Sequence, residues 1–110
     1  MKAAGRGGRI VNVSARPALV PTAGVAAYAA SKAVVASLTR SLAEELAADR
    51  IWVNAVAPST IDTPANRAGM PDADHDRWPK PEELAATILH LASADNRVAR
   101  GAIVPVYGQG

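Results

Sequence analysis

The sequence contains no cysteine among its 110 residues. Disulfides, thiolate zinc sites and a cysteine nucleophile are therefore excluded, and any redox chemistry requires a bound cofactor. Neither sign of charge dominates, because twelve Lys and Arg face ten Asp and Glu and no long basic run indicates a nucleic-acid-binding surface. The longest uncharged stretch, residues 17–31, contains two prolines and a glycine, so it does not span a membrane. We expect a cytoplasmic protein that binds neither nucleic acid nor membrane.

Motifs of two further classes are missing. No Gly-x-Ser-x-Gly elbow is present, so an α/β-hydrolase has no nucleophile here. Asp72, Asp74, Asp76 and Glu83 have the 1, 3, 5, 12 spacing of a calcium loop, but Arg77 stands where that loop needs glycine. The two histidines are far apart in the sequence, and we predict no metal site.

What is present is a regular alternation of apolar elements. β-branched bursts bounded by proline or polar residues predict strands, and apolar residues at helical spacing predict helices. Val34, Val35, Leu38, Leu42 and Leu46 carry the helical pattern of the longest element. The prediction is a strand at 9–13, a helix at 25–49, a strand at 51–56, a long loop at 62–80 that can include a helical turn, a helix at 81–93 and a strand at 102–107.

This order of elements predicts an α/β fold with a parallel sheet of three strands and two main helices. Parallel sheets have both faces covered and rarely stand with three strands alone. The first strand has no earlier strand to pair with. We therefore expect residues 1–110 to form a partial single domain, the C-terminal half of a Rossmann-type, doubly wound sheet.

The main candidate for chemistry is Tyr28-Ala-Ala-Ser-Lys32, at the beginning of the long predicted helix. A spacing of four places the phenol and the ammonium group on one helix face. A nearby cation and the positive end of a helix favour the ionised phenol, which makes the pair a candidate proton relay. The alternative from the residues alone is a packed tyrosine beside a lysine whose stem lies along apolar surface.

The pair belongs to a series of four sequence blocks, which follow one another in a fixed order and spacing. The blocks are Gly8-Arg-Ile-Val-Asn-Val-Ser14, Tyr28-Ala-Ala-Ser-Lys32, Leu38-Thr-Arg-Ser-Leu-Ala-Glu-Glu-Leu46 and Ile51-Trp-Val-Asn-Ala-Val-Ala-Pro58. Together they resemble the second half of the short-chain dehydrogenases/reductases, over nearly the whole chain. The resemblance implies that Tyr28 donates a proton to the substrate carbonyl and that Lys32 holds the nicotinamide ribose of NAD or NADP.

The segment after the second strand adds candidate cofactor contacts. Pro58-Ser-Thr-Ile-Asp-Thr63 is similar to the family's Pro-Gly-x-x-x-Thr segment, with Ser59 in place of glycine. The resemblance implies that the Ile61 backbone and the Thr63 hydroxyl contact the nicotinamide carboxamide. An ordinary strand-end loop with a Ser/Thr turn is the alternative.

The chain departs from the family at the catalytic serine. The family's serine lies thirteen residues before the tyrosine, where this sequence has Ala15, and the serine present is Ser14. Either a turn brings Ser14 into the site or the enzyme works without this hydroxyl. The dihydropteridine-reductase branch is similar in this respect and in the run from Ile61 to Asp74, which implies a pterin as one candidate substrate.

The family's glycine-rich phosphate loop is not found in this sequence, because Gly5, Gly7 and Gly8 precede a strand instead of following one. We expect the chain to be part of a longer NAD(P)-dependent oxidoreductase, acting on a small-molecule carbonyl, alcohol or pterin and forming a homodimer or homotetramer through its long helix. The alternative is a non-catalytic fragment that cannot bind a dinucleotide by itself.

Overall fold

A computed structural model describes all residues from Met1 to Gly110. Three strands and three helices follow one another along the chain. Short 3-10 turns at Arg16–Ala18, Ala47–Asp49 and His75–Arg77 connect them. The elements are β1 (Gly8–Val13), α1 (Ala26–Glu45), β2 (Ile51–Pro58), α2 (Pro64–Gly69), α3 (Pro81–Ala92) and β3 (Ile103–Val106).

The three strands form one parallel sheet in the order β1-β2-β3. Gly8 lies opposite Ile51 at the beginning of the first pair, and Ala55 lies opposite Ile103 at the beginning of the second. The predicted α/β class and the three-stranded parallel sheet are confirmed. Because all strands run the same way, their carboxyl ends meet at one edge, where open α/β sheets bind ligands.

Each face of the sheet is covered by one helix. On the α1 face, Ala43 packs with Ile51 and Val53. On the other face, Val56 packs with Leu84 and Leu91 of α3. Successive residues of β2 therefore point to opposite helices, as the strand period requires, and this strand is buried on both faces as the centre of a parallel sheet should be.

The first helix meets the sheet through small side chains. Its buried residues are Ala36, Thr39 and Ala43, whereas Val34 and Leu38 are 65% and 52% exposed. The apolar period used to predict this helix therefore includes residues outside the core. The reason is that alanines allow the helix backbone to lie close to β2, and the larger side chains at its flank face outward.

Most predicted boundaries lie within two residues of the observed ones, and two differences are larger. The long helix ends at Glu45 and continues as a 3-10 turn over Ala47–Asp49. The region predicted as a long loop contains helix α2. Pro64 stands in the first turn of this helix, where a proline is tolerated because its missing N–H would have no partner within the helix. The Thr63 hydroxyl accepts the Asn66 amide at 3.2 Å and caps it. The cap and the proline therefore create a short helix in a segment whose composition predicted a long loop with room for a helical turn.

Candidate active site

A cleft of about 780 Å³ opens at the carboxyl ends of β1 and β2, beside the beginning of α1. Its walls come from the residues that follow both strands, from the first turns of α1 and from the segment before α3. Six of the seven predicted site residues line it, and Thr63 does not. The six are Ser14, Tyr28, Lys32, Pro58, Ser59 and Ile61.

The helical spacing brings the Tyr28 phenol and the Lys32 ammonium group together as predicted. The Lys32 Nζ lies 5.9 Å from the centre of the Tyr28 ring. It also donates a long hydrogen bond of 3.5 Å to the carbonyl of Val13, the last residue of β1. Tyr28 is 50% exposed, so its hydroxyl is accessible to a ligand. The strand end thus holds the cation beside an accessible phenol.

Ser14 is placed as a tie between β1 and α1. The residue is 2% exposed, its amide continues the sheet ladder by donating to Val56 O at 2.8 Å, and its Oγ donates to the backbone carbonyl of Lys32 at 2.8 Å. The hydroxyl proton of Ser14 is therefore used in a hydrogen bond to α1, the helix that carries Tyr28 and Lys32. Ala15, at the family's serine position, lines the cleft with only a methyl group.

The segment from Pro58 to Thr63 is fixed by hydrogen bonds to residues outside it. The Ser59 hydroxyl donates to the carbonyl of Tyr107 at 3.1 Å, which gives the residue that replaces glycine a definite partner. The Asn66 side chain donates to Ile61 O at 2.8 Å. Since Thr63 accepts a bond from the Asn66 amide, its own hydroxyl proton is left for another acceptor.

An ion pair that the sequence analysis missed holds the same segment. Arg67 donates from Nε to Asp62 Oδ1 at 2.6 Å and from Nη2 to Oδ2 at 2.9 Å. This bidentate hydrogen bonding to Arg67 lowers the pKa of the Asp62 carboxyl below its ordinary range, and the carboxylate in turn raises the pKa of the Arg67 guanidinium. The pair closes the turn between Ile61 and α2.

Three further lining residues were also missed: Arg16, Asn66 and Trp78. Trp78 is buried at 9% exposure, and its ring centre lies 4.7 Å from that of His75. In the sequence, the only indication that Trp78 is buried at the cleft is that a single large apolar residue stands in a segment rich in Asp and Pro. The Trp78 ring forms an apolar wall of the cleft.

No group of three or more His, Asp or Glu side chains is arranged to hold a metal ion. No helix combines the length and the hydropathy that crossing a bilayer requires.

Comparisons with known proteins identify the family to which this fold belongs. The family model described as enoyl-(acyl carrier protein) reductase matches residues 1–108. A 3-oxoacyl-[acyl-carrier-protein] reductase of Thermotoga maritima is 40% identical over 94% of the chain and 45% of its own length. A cis-4-hydroxycyclohexanecarboxylate dehydrogenase of Sinomonas cyclohexanicum is 46% identical over 98% of the chain and 46% of its own length.

A solved structure gives the same result in three dimensions. The Agrobacterium tumefaciens protein described as a 2-deoxy-D-gluconate 3-dehydrogenase, with bound NADP, matches 97% of the chain and 48% of its own, with a TM-score of 0.87 and 36% identity. The fold and the Tyr–Lys cleft define a Rossmann-type α/β protein. The chain belongs to the short-chain dehydrogenase/reductase family, and it spans about half the length of the curated relatives it matches.

Proposed function

We propose that the chain is the catalytic half of an NAD(P)-dependent oxidoreductase that interconverts a carbonyl and an alcohol in the cytoplasm. The observation that carries the proposal is the position of the Lys32 ammonium group beside the Tyr28 ring, inside a cleft at the carboxyl ends of parallel strands. In the direction of reduction, Tyr28 donates its hydroxyl proton to the carbonyl oxygen as that oxygen gains negative charge.

Lys32 supports this step electrostatically. Its cation stabilises the phenolate that remains on Tyr28 after the proton has left. The bond from Lys32 Nζ to Val13 O and the bond from Ser14 Oγ to Lys32 O tie the lysine to the end of β1 by both its side chain and its backbone. The short Ser14 bond fixes the lysine backbone, whereas the long Nζ bond leaves the ammonium group able to turn towards the developing charge.

The cleft fits the nicotinamide end of NAD or NADP, which supplies the hydride when bound. The Lys32 ammonium group is a donor for ribose hydroxyls, and the Ile61 backbone at the cleft wall is a partner for a carboxamide. Thr63 lies outside the cleft, two residues further along the same segment, and keeps a free hydroxyl proton. Pro58 and Ser59 would line the same end of the pocket. The pyrophosphate has no such cradle, because no glycine-rich turn leads from a strand into a helix in residues 1–110.

We therefore propose that residues 1–110 work within a longer protein whose preceding half supplies the phosphate loop. The unpaired edge of β1 supports this, since a parallel sheet of this kind is normally flanked on both sides. A chain that binds no dinucleotide by itself is the second candidate, and the missing cradle favours it for the isolated polypeptide.

The substrate is proposed as a small carbonyl or alcohol compound. The names of the Thermotoga and Sinomonas relatives indicate an oxoacyl thioester and a hydroxycyclohexanecarboxylate as their substrates. A quinonoid pterin, as in the dihydropteridine-reductase branch, is the second candidate. It is favoured by Ala15, because that position of the cleft offers no hydroxyl to polarise a carbonyl.

A homodimer or homotetramer is the proposed assembly of the whole protein. Val34 and Leu38 lie exposed on α1, and a pair of large apolar side chains on one helix flank is suited to packing against a second copy.

Replacement of Tyr28 by Phe in the native protein tests the proposed reaction. NADPH oxidation is followed with 4-oxocyclohexanecarboxylate, an oxoacyl thioester and a quinonoid dihydropterin as substrates. We expect kcat to fall by roughly 10²- to 10⁴-fold on the accepted substrate, because a general acid is lost, while the Kd for NADPH is unchanged. Ser41→Ala, which removes an exposed hydroxyl of the same helix outside the cleft, is the control and retains activity. Full turnover by Tyr28→Phe would contradict the proposed role.

A further inference from the structure

Arg16 lies in the cleft beside the proposed catalytic pair, in the 3-10 turn that follows β1. Its backbone is fixed, since its carbonyl accepts the amides of Leu19 and Val20, each at 2.9 Å. The turn packs against α1, which carries Tyr28 and Lys32. The hydrogen-bonded turn therefore fixes the point from which the Arg16 side chain reaches the cleft.

The Arg16 side chain has no acceptor within the protein. Two arginines in the chain are half-buried, Arg9 and Arg16. Arg9 donates to the carbonyls of Asn96 and Gly8, whereas Arg16 forms neither a hydrogen bond nor an ion pair with its side chain. The Arg16 nitrogens are not buried, since the only buried polar side-chain atom without a partner is Trp52 Nε1, so a ligand in the cleft can reach all of them.

A contact that uses none of its donors holds Arg16 in place. The Arg16 Cζ lies 5.0 Å from the centre of the Tyr107 ring, at cation–π distance. A contact of this kind restricts the position of the guanidinium group and uses none of its five N–H donors. The Arg16 guanidinium group is therefore held in the cleft with all of its N–H donors available to an anion.

All charged side chains that line the cleft are positive. Arg16 and Lys32 line it, and no Asp or Glu does. The C-terminal residue Gly110 also lines the cleft, but its carboxylate forms no ion pair with either cation. Apolar walls come from Ile61 and Trp78. The cleft therefore combines a body of apolar surface with two cations.

We propose that Arg16 is a specificity-determining residue that binds the carboxylate of an anionic substrate, while the Tyr–Lys pair acts on that substrate's carbonyl or alcohol carbon. This inference rests on the proposed function for the reaction, but the anion site itself does not depend on turnover. A carboxylate is favoured because its two oxygens match the guanidinium fork, and because Ile61 and Trp78 suit a hydrocarbon body between the two polar ends.

Binding of a probe to the native protein without NADPH tests the anion site without any turnover. Cyclohexanecarboxylate, cyclohexanecarboxamide and inorganic phosphate are titrated separately, binding to every variant is measured by isothermal titration calorimetry, and in the wild type the Arg16 Nε–H resonance is also followed by NMR. We expect the carboxylate to bind, the carboxamide to bind at least about tenfold more weakly, and Arg16→Gln to weaken carboxylate binding roughly 10- to 100-fold. Arg97→Gln, at an exposed arginine outside the cleft, leaves it unchanged.

Arg16→Lys keeps the charge without the fork and is expected to fall between the wild type and Arg16→Gln. Equal affinity of the carboxylate for the wild type and Arg16→Gln overturns the proposal. Tighter binding of phosphate than of the carboxylate also overturns it, because the site would then recognise a phosphate such as that of a cofactor.

Kinetics of the native protein separate this inference from the proposed reaction. With 4-oxocyclohexanecarboxylate, Arg16→Gln should raise KM roughly 10- to 100-fold at nearly unchanged kcat, and with 4-oxocyclohexanecarboxamide it should change neither constant. An equal effect on both substrates contradicts the specificity role. Carboxylate binding that depends on Arg16, without turnover of any ketone, supports the anion site and contradicts the reductase proposal.

Discussion

Ser14 connects β1 to α1 through one buried hydrogen bond, from its Oγ to Lys32 O at 2.8 Å. We predict that Ser14→Ala lowers the free energy of unfolding by about 1 kcal/mol, the net contribution of such a bond, and lowers kcat less than about tenfold. Urea unfolding and steady-state kinetics measure the two effects, with Ser37→Ala on the exposed side of α1 as control. A fall in kcat of about 10²-fold or more would show instead that the hydroxyl acts on the substrate.

The Asp62–Arg67 pair predicts a pH dependence for the segment between β2 and α3. Hydrogen bonding to Arg67 lowers the pKa of the Asp62 carboxyl in the folded protein, so the stabilisation is complete above the ordinary carboxyl range and is lost as the pH falls below about 4. The Arg67 Nε–H resonance, followed from about pH 7 to about pH 2, should move as the carboxylate becomes protonated.

Asp62→Asn should abolish this titration at Arg67, because the neutral amide cannot form the charged pair. Asp72→Asn is the matched control, since Asp72 is exposed and forms no ion pair. The same pH profile in Asp62→Asn and in the wild type would rule out the pair as its cause.

At the scale of elements, the first strand pair is preceded by a glycine that has no room for a side chain. Gly7 has a φ of +76°, and an added Cβ would lie 2.6 Å from the carbonyl oxygen of Arg50. That same oxygen accepts the Gly8 amide at 3.1 Å and opens the β1–β2 ladder. Gly24 has a similar φ of +84° but open space around it.

The two glycines therefore allow a matched test of strand pairing. Gly24→Ala should lower the free energy of unfolding by about 1–2 kcal/mol, the cost of a left-handed backbone with a Cβ. Gly7→Ala should cost at least about 1 kcal/mol more, because the Arg50 carbonyl must also shift. Urea unfolding of both variants checks the difference, and equal losses would contradict the close approach.

Much of the fold could be predicted from local sequence patterns. Short runs of β-branched residues predicted the three strands. The spacing of four residues in the predicted helix was enough to place Tyr28 and Lys32 on the same face. Helix α2 could not be predicted in the same way, because its six residues form through the Thr63 cap and Pro64 in a segment rich in loop-forming residues.

The parts of the site that were missed depend on contacts between distant residues. The cation–π contact of Arg16 joins positions 91 residues apart in the sequence, and no local pattern indicates it. The Asp62–Arg67 pair is closer, but a spacing of five is not a regular helical neighbour. It exists because the chain turns between β2 and α2, which only the folded structure shows.

At the scale of the whole molecule, the sheet is both small and open. Only 17 of 110 residues are buried, so the core is modest for a chain of this length. β2 is paired on both sides, whereas β1 has a partner on one side only. The proposed longer protein accounts for this open edge and for the missing phosphate cradle together, since a further strand–helix unit would supply both.

The central claim is that the cleft at the strand ends is where a carbonyl compound is reduced. A crystal structure of the native protein with NADPH and a ketone tests it most directly. We predict that the nicotinamide ring lies against the Ile61–Thr63 segment, that the ribose contacts Lys32 Nζ, and that the ketone oxygen lies within about 3 Å of the Tyr28 hydroxyl. A nicotinamide bound elsewhere, or a ketone oxygen out of reach of Tyr28, would contradict the account.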